Sequence, residues 1–122
     1  VGLSVRIKMK INTPRLTIRE IVEEDLIALH DLLSNKEVMH YSVHGPYSLE
    51  QTKEWLSFIT HFYTKNPVGM WAVTEKDNSR LIGICGLMPL ENNVDQYEIG
   101  YRMLPTFQGR GYATEAAIAV RD

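Results

Sequence analysis

The residues that most clearly indicate a ligand-binding site in this 122-residue chain are two glycines, Gly109 and Gly111. They lie in the segment QGRGYA at positions 108–113. The segment follows a strand-like run at 97–104 and leads into an alanine-rich helix start at 114–119. Unpaired backbone N–H groups converge where a helix begins, and the helix dipole adds positive potential there. Glycine lets the backbone approach ligand oxygens without an intervening Cβ. The segment therefore predicts a binding site for a phosphorylated ligand.

Three phosphate-binding motifs can be compared with this segment. A Walker A loop ends in Gly-Lys-Ser/Thr, and positions 108–113 do not contain that ending. A dinucleotide-binding loop has a third small residue where this chain has Thr114, so the match to it is poor. The third motif, Gln/Arg-x-x-Gly-x-Gly/Ala, belongs to the GNAT acyl-CoA N-acyltransferases and matches Gln108, Gly111 and Ala113. A glycine turn that only starts a helix is the alternative for these six residues alone.

The wider sequence resembles the same family, in particular its ribosomal-protein-alanine acetyltransferase branch. The segments TPRLTIR (13–19) and EEDL (23–26) resemble the first strand and helix of that branch, and LIGICGL (81–87) resembles its third strand. YEIGY (97–101) and the glycine segment after it resemble the fourth strand and the cofactor loop. The resemblance extends from residue 13 to the last residue, and the order and spacing of the pieces make it specific.

Apolar periodicity indicates how the chain positions this segment. Alternation at 15–19 places Leu16 and Ile18 on the buried face of a strand. Acidic residues at 23–25 favour the start of a helix through its dipole. The apolar stripe of that helix is formed by Leu26, Leu29 and Leu33.

A second helix is predicted after Ser48, which forms a capping-box pattern with Gln51. Asn66-Pro67 is expected to end this helix, because the residue before a proline disfavours the helical conformation. Its predicted buried face consists of four residues spaced by three and four, namely Trp55, Phe58, Ile59 and Phe62.

Three further strands are predicted at 70–74, 81–87 and 96–104, and the short polar turns between them imply antiparallel pairing. The order strand, two helices, three strands, helix predicts an α+β fold. It agrees with the first part of the GNAT fold, a mixed, mostly antiparallel sheet flanked by helices. We expect residues 10–122 to form an N-acetyltransferase domain and residues 1–9 to be an N-terminal extension.

The GNAT fold continues with another strand, a helix and two more strands that this sequence lacks. We therefore expect the chain to be a C-terminally truncated part of a longer polypeptide, with a degenerate domain as the alternative. An open edge of strand 96–104 is a template for pairing with another chain. The isolated chain is expected to be inactive, and to form a homodimer or to aggregate through that edge.

Composition limits the classes of function. The chain is 44% hydrophobic and 23% charged with a net charge of −2, so it lacks the basic balance of most nucleic-acid-binding domains. No apolar run approaches the ~20 residues that span a bilayer. The single cysteine, Cys85, lies in an apolar strand and fits a reducing cytoplasm. His40 and His44 have metal-like spacing, but no further ligand completes a set. We expect a cytoplasmic protein that binds no metal, nucleic acid or membrane.

The resemblance implies an N-acetyltransferase that uses acetyl-CoA and a primary amine, either a protein N-terminal amine or a small molecule, with direct attack on the thioester. A non-catalytic acyl-CoA-binding module is the alternative. A free N–H near Met103 is the expected donor to the thioester oxygen. The residues expected to bind acetyl-CoA are Tyr101, Arg102, Met103, Gln108, Gly109, Arg110, Gly111, Tyr112 and Ala113. Candidates for the acceptor pocket are His40, Tyr41, His44 and Tyr47.

A catalytic base is also required, because a primary amine is mostly protonated near neutral pH. Glu98 is the candidate, since the family often carries an acid on this strand. Strand alternation places Glu98 on the same face as Gly100 and Arg102. An ion pair between Glu98 and Arg102 is the alternative role.

Overall fold

The computed structural model describes residues 10–40, 45–63, 69–90 and 93–121. Two single 3-10 turns lie at Glu23–Asp25 and Pro105–Phe107. The helices and strands in chain order are β1 (Lys10–Asn12), β2 (Leu16–Arg19), α1 (Leu26–Leu33), α2 (Leu49–Phe62), β3 (Met70–Glu75), β4 (Gly83–Leu90), β5 (Asn93–Met103) and α3 (Tyr112–Arg121).

The described strands form one sheet in the order β1-β2-β3-β4-β5, and each strand is antiparallel to the next. The predicted α+β fold and antiparallel pairing are confirmed. Leu16 and Ile18 are fully buried on β2, as the alternation predicted. The sequence did not predict β1, because its three residues are mostly exposed and carry no apolar alternation.

The helix starts follow local side-chain chemistry. Glu23–Asp25 form a 3-10 turn instead of the first turn of α1, and the Asp25 carboxylate accepts from the backbone N–H of Val22 at 2.8 Å. The capping box of α2 is present as predicted. The Ser48 hydroxyl accepts from the Gln51 N–H at 3.1 Å, and the Gln51 side chain accepts from the Ser48 N–H at 2.8 Å.

The predicted buried face of α2 is partly wrong. Ile59 is fully buried, but the Phe58 side chain is 53% exposed, and Trp55 and Phe62 are only half-buried. The buried residues of the helix are instead Thr52, Leu56 and Ile59. The expectation followed the aromatic residues and overlooked Thr52, whose hydroxyl donates to the Ser48 carbonyl at 2.9 Å and can therefore be buried without an unpaired polar group. The predicted stop at Asn66-Pro67 lies outside the described residues.

The helices lie on both faces of the sheet. Trp55 of α2 lines a cavity together with Met70 of β3, whereas Tyr112 of α3 donates to Glu75 of the same strand. Because alternate residues of a strand face opposite sides, Met70 and Glu75 point away from each other. α3 therefore packs on the face opposite α1 and α2. None of the helices in the described part of the chain is long and apolar enough to cross a membrane.

The position of the α2 stripe can be tested by comparing two neighbouring residues. Ile59→Ala should lower the free energy of unfolding by about 2–5 kcal/mol, because it leaves a cavity in the core. Phe58→Ala should cost less than about 1 kcal/mol, since that ring is half in solvent. Urea denaturation of both variants measures the difference. Equal decreases in the free energy of unfolding would instead support the predicted burial of Phe58.

Candidate functional site

The glycine segment forms a sharply turned loop between β5 and α3. Gly109 has a φ of 78° and Gly111 a φ of 79°, and both lie in the left-handed region that residues with a Cβ rarely adopt. Left-handed residues in a short turn bring successive N–H groups onto one concave surface, the arrangement of anion-binding nests. The loop therefore has the backbone geometry that the sequence predicted for it.

The hydrogen bonds of the loop show which donors a ligand could use. The Gln108 N–H donates to the Pro105 carbonyl at 3.1 Å, and the Gln108 side-chain Nε2 donates to the Met103 carbonyl at 3.0 Å. Gln108 therefore ties the loop to the end of β5. The backbone N–H groups at 109–114 make no hydrogen bond to any described carbonyl, and the first bond of the helix ladder runs from Glu115 to Gly111 at 3.0 Å. The available donors begin at Gly109.

The outer edge of β5 provides a second set of donors. The Leu104 N–H donates to the Ile82 carbonyl of the neighbouring chain segment at 3.0 Å, and Arg102 lies opposite Ile84 of β4. Because antiparallel strands alternate the direction of their backbone groups, Arg102 also faces β4 while Tyr101 and Met103 face outward. β5 is the last strand of the described sheet, so these outward N–H groups line an open edge.

The loop and this edge border one concavity of about 480 Å³, which we call the loop cleft. It brings together seven of the residues predicted to bind acetyl-CoA with four residues that the sequence did not suggest. The predicted ones are Tyr101, Arg102, Met103, Gln108, Gly109, Gly111 and Ala113. The additional ones are Glu37, Val38, Phe107 and Thr114.

Two of the predicted residues do not line the loop cleft. Arg110 is exposed, and its guanidinium lies 5.2 Å from the centre of the Phe107 ring. Tyr112 is buried, and its hydroxyl donates to the Glu75 carboxylate at 2.8 Å. The Tyr112 side chain therefore fixes the start of α3 against β3.

A group of polar residues, which we call the Arg15 clasp, holds the loop from its other side. The Arg15 Nε donates to the Glu115 carboxylate at 2.7 Å, and its Nη1 donates to the Arg110 carbonyl at 2.7 Å. The Arg15 backbone N–H and the Thr13 hydroxyl donate to the same carboxylate at 3.0 and 2.5 Å. The Arg15 guanidinium also lies 4.6 Å from the centre of the Tyr112 ring. The clasp joins the turn before β2 to the loop and to the first turn of α3.

The clasp also sets the charge of this region. Partial burial opposes ionisation of Glu115, but the hydrogen bonds from Thr13 and Arg15 and the charge of Arg15 outweigh it and lower the pKa of the carboxyl below its ordinary value of 4.5. Glu115 is therefore ionised at neutral pH and paired with Arg15. The pairing could not be predicted from the sequence, because the partners are 100 positions apart and no periodic pattern links them.

The other candidates lie elsewhere. The backbone of Glu98 is part of β5, opposite Met88, but its side chain is outside the described part of the structure. His40 is exposed, Tyr47 lines a separate cavity, and Tyr41 and His44 lie outside the described residues. Cys85 is buried, and burial raises the pKa of its thiol to about 11, which disfavours the nucleophilic thiolate.

Comparison with known proteins gives a consistent result. Residues 15–122 match the acetyltransferase (GNAT) domain family. YkkB of Bacillus subtilis strain 168, a protein of uncharacterised function, is 33% identical over 117 residues, which cover 94% of this chain and 67% of YkkB.

Solved structures give the same fold. An acetyltransferase of the GNAT family from Bacillus anthracis superposes with a TM-score of 0.74 and 28% identity over 91% of this chain. RimL, a ribosomal L7/L12 alpha-N-protein acetyltransferase, superposes with a TM-score of 0.73 at 22% identity over 99% of this chain, a likeness that concerns the fold. The chain spans 63% and 66% of these two proteins. The expected ribosomal branch is not distinguished from other members.

The Arg15 clasp can be tested through stability and its pH dependence. Arg15→Ala should lower the free energy of unfolding by about 1 kcal/mol, since two hydrogen bonds of the guanidinium are lost but the side chain is 46% exposed. The matched control is Arg80→Ala, which removes an exposed pair with Asp31 and should cost less than about 0.5 kcal/mol.

The pH dependence follows from the lowered pKa of Glu115. Its stabilisation is present above pH 4.5 and is lost as the pH falls through the lower pKa of the folded state. The difference in unfolding free energy between the protein and Glu115→Gln should therefore shrink below pH 4.5. A difference that stays constant from pH 6 to pH 3 would contradict the pairing.

Proposed function

The chain belongs to the acetyltransferase (GNAT) family, and on this basis we propose that it transfers an acetyl group from acetyl-CoA to a primary amine. The observation that carries the proposal is the continuity of the loop cleft, in which the unpaired N–H groups at 109–114 lead directly to the open edge of β5. Acetyl-CoA has a matching sequence of groups, with a diphosphate followed by the amides and thioester of the pantetheine arm.

The loop suits the diphosphate. Backbone N–H groups from Gly109 onward and the N-terminal end of α3 favour an anion on both geometric and electrostatic grounds. The carboxylate of Glu115 would oppose an anion at this helix end, but Arg15 pairs with it at 2.7 Å. The exposed guanidinium of Arg110 adds a positive charge beside the loop.

The edge of β5 suits the pantetheine arm. The outward N–H groups of Tyr101 and Met103 would pair with the pantetheine carbonyls as an added strand does. Once the arm is held in this way, an outward N–H of the same stretch that is not used by the amides donates to the thioester oxygen as negative charge develops on it. Holding the arm along a rigid strand also supplies the orientation that a bimolecular reaction lacks.

The reaction then needs a neutral amine. The ammonium group loses a proton, and the amine nitrogen attacks the thioester carbonyl carbon. The C–S bond then breaks, and the nitrogen loses a second proton, which protonates the departing thiolate to give the amide and CoA. We propose Glu98 as the acceptor of the first proton, directly or through water. It lies in β5, two residues before Gly100, on the strand that holds the donor. A protein N-terminal amine and a small-molecule amine are both compatible with this chemistry.

Binding of the donor is tested by Gly111→Asp. The substitution places a strained backbone and a carboxylate in the loop, so the dissociation constant of CoA should rise at least tenfold in calorimetry. Gly45→Asp is the matched control, because Gly45 has a similar φ of 65° and no atom within 4 Å of a Cβ placed there. It should leave CoA affinity unchanged. Equal affinity in both variants and the parent protein would remove the loop from the site.

The role of Glu98 is tested by Glu98→Gln. Loss of a positioned base should lower kcat by about 10²–10⁴-fold with little change in acetyl-CoA affinity, and the loss should shrink at high pH as neutral amine accumulates. Release of CoA is followed from pH 6 to pH 9. A parental rate across that range would make Glu98 a structural residue. Tight CoA binding without turnover of any amine would favour a non-catalytic acyl-CoA-binding protein.

A further inference from the structure

A second concavity, of about 320 Å³, lies between the α1–α2 side of the fold and the sheet. We call it the apolar cavity. The Tyr47 N–H donates to the Leu33 carbonyl at 2.8 Å, which fixes the segment before α2 against the end of α1. Two thioethers, two aromatic rings and two aliphatic side chains form most of the wall, namely Met39, Met70, Tyr47, Trp55, Leu33 and Ile84.

The apolar cavity adjoins the loop cleft. Both are bordered by Tyr101 and Arg102, and the apolar cavity also reaches Gly100. β5 therefore leads from the loop cleft at Met103 to the apolar cavity at Gly100. A donor that pairs along this edge from the loop inward brings its reactive end next to the apolar cavity, where a bound amine could attack it.

The lining of the apolar cavity favours a small ligand whose body is apolar. Leu33, Met39, Met70 and Ile84 are at most 7% exposed, so they form a preformed apolar floor. Methionine side chains adapt to the shape of a ligand, and the face of a tryptophan attracts a single cation. The volume of about 320 Å³ is at the lower end of the range for small-molecule sites. These properties match an amine with one ring or a short branched chain.

We propose that the apolar cavity binds the acceptor, and that the acceptor is an amine with an apolar or aromatic body. The inference rests on the proposed acetyl transfer and deepens it. Polyamines, aminoglycosides and basic peptides, which lack such a body, are then poor acceptors.

The specificity is measured with the full-length protein as kcat/KM for four acceptors at saturating acetyl-CoA. 2-Phenylethylamine should exceed propylamine, which has the same charge but no ring, by roughly tenfold or more. It should exceed spermidine and a basic peptide with a free N-terminus by a similar or larger factor. A higher kcat/KM for spermidine or for the peptide would overturn the proposal.

Gly100→Val tests whether the apolar cavity is the site. A Cβ at Gly100 would lie 3.9 Å from the Met70 Cε, an ordinary contact, so Gly100→Ala is tolerated and serves as the control. The extra methyl groups of valine have to enter the cavity. The KM for 2-phenylethylamine should rise at least tenfold in Gly100→Val and less than threefold in Gly100→Ala.

Failure of this inference can be distinguished from failure of the acetyl-transfer proposal. Calorimetric acetyl-CoA affinity should be unchanged in Gly100→Val, because the backbone of Gly100 faces β4 and not the open edge. An unchanged KM for 2-phenylethylamine in an active Gly100→Val variant would overturn the acceptor site alone. Absence of CoA release by the full-length protein with every amine would overturn both proposals.

Discussion

The ion pair between Arg15 and Glu115 is the interaction on which the geometry of the loop depends. It joins the turn before β2 to the first turn of α3, and the same guanidinium holds the Arg110 carbonyl within the loop. The carboxylate would otherwise repel an anion at this helix end. Because Arg15 pairs with it, the positive end of the helix dipole and the unpaired N–H groups stay available to a ligand. Arg15 therefore both holds the loop in place and neutralises the carboxylate at the start of α3.

In the proposed reaction the donor binds at the edge of the sheet and the acceptor binds at one of its faces. Alternation along β5 turns the backbone of Tyr101 and Met103 toward the open edge, whereas Arg102 is bonded to β4 and sends its side chain to Val38. The edge suits a long donor that needs backbone partners, and the face suits a compact acceptor that needs an apolar wall. The two concavities meet at β5, so the rigid strand determines how donor and acceptor approach each other.

The features that depend on neighbouring residues in the chain could be predicted from the sequence. The glycine loop, the Ser48 cap and the alternation of β2 follow from short-range patterns, and the structure agrees with them. The Arg15 clasp could not be predicted in this way, because its ends are 100 residues apart and Arg15 alternates as an ordinary solvent-facing strand residue. The prediction that Phe58 is buried was wrong, because the direction in which α2 packs, and not hydrophobicity alone, decides which face of the helix is buried.

The central claim is that a ligand uses the loop and the open edge of β5 together. Amide-resolved hydrogen exchange with and without CoA tests it most directly. We predict that CoA slows amide exchange at 109–113 and at Tyr101 and Met103. Exchange at Arg102 should change little, because its N–H is already bonded to β4. Protection confined to the loop, or protection of Arg102 equal to that of its neighbours, would contradict the proposed alignment along β5.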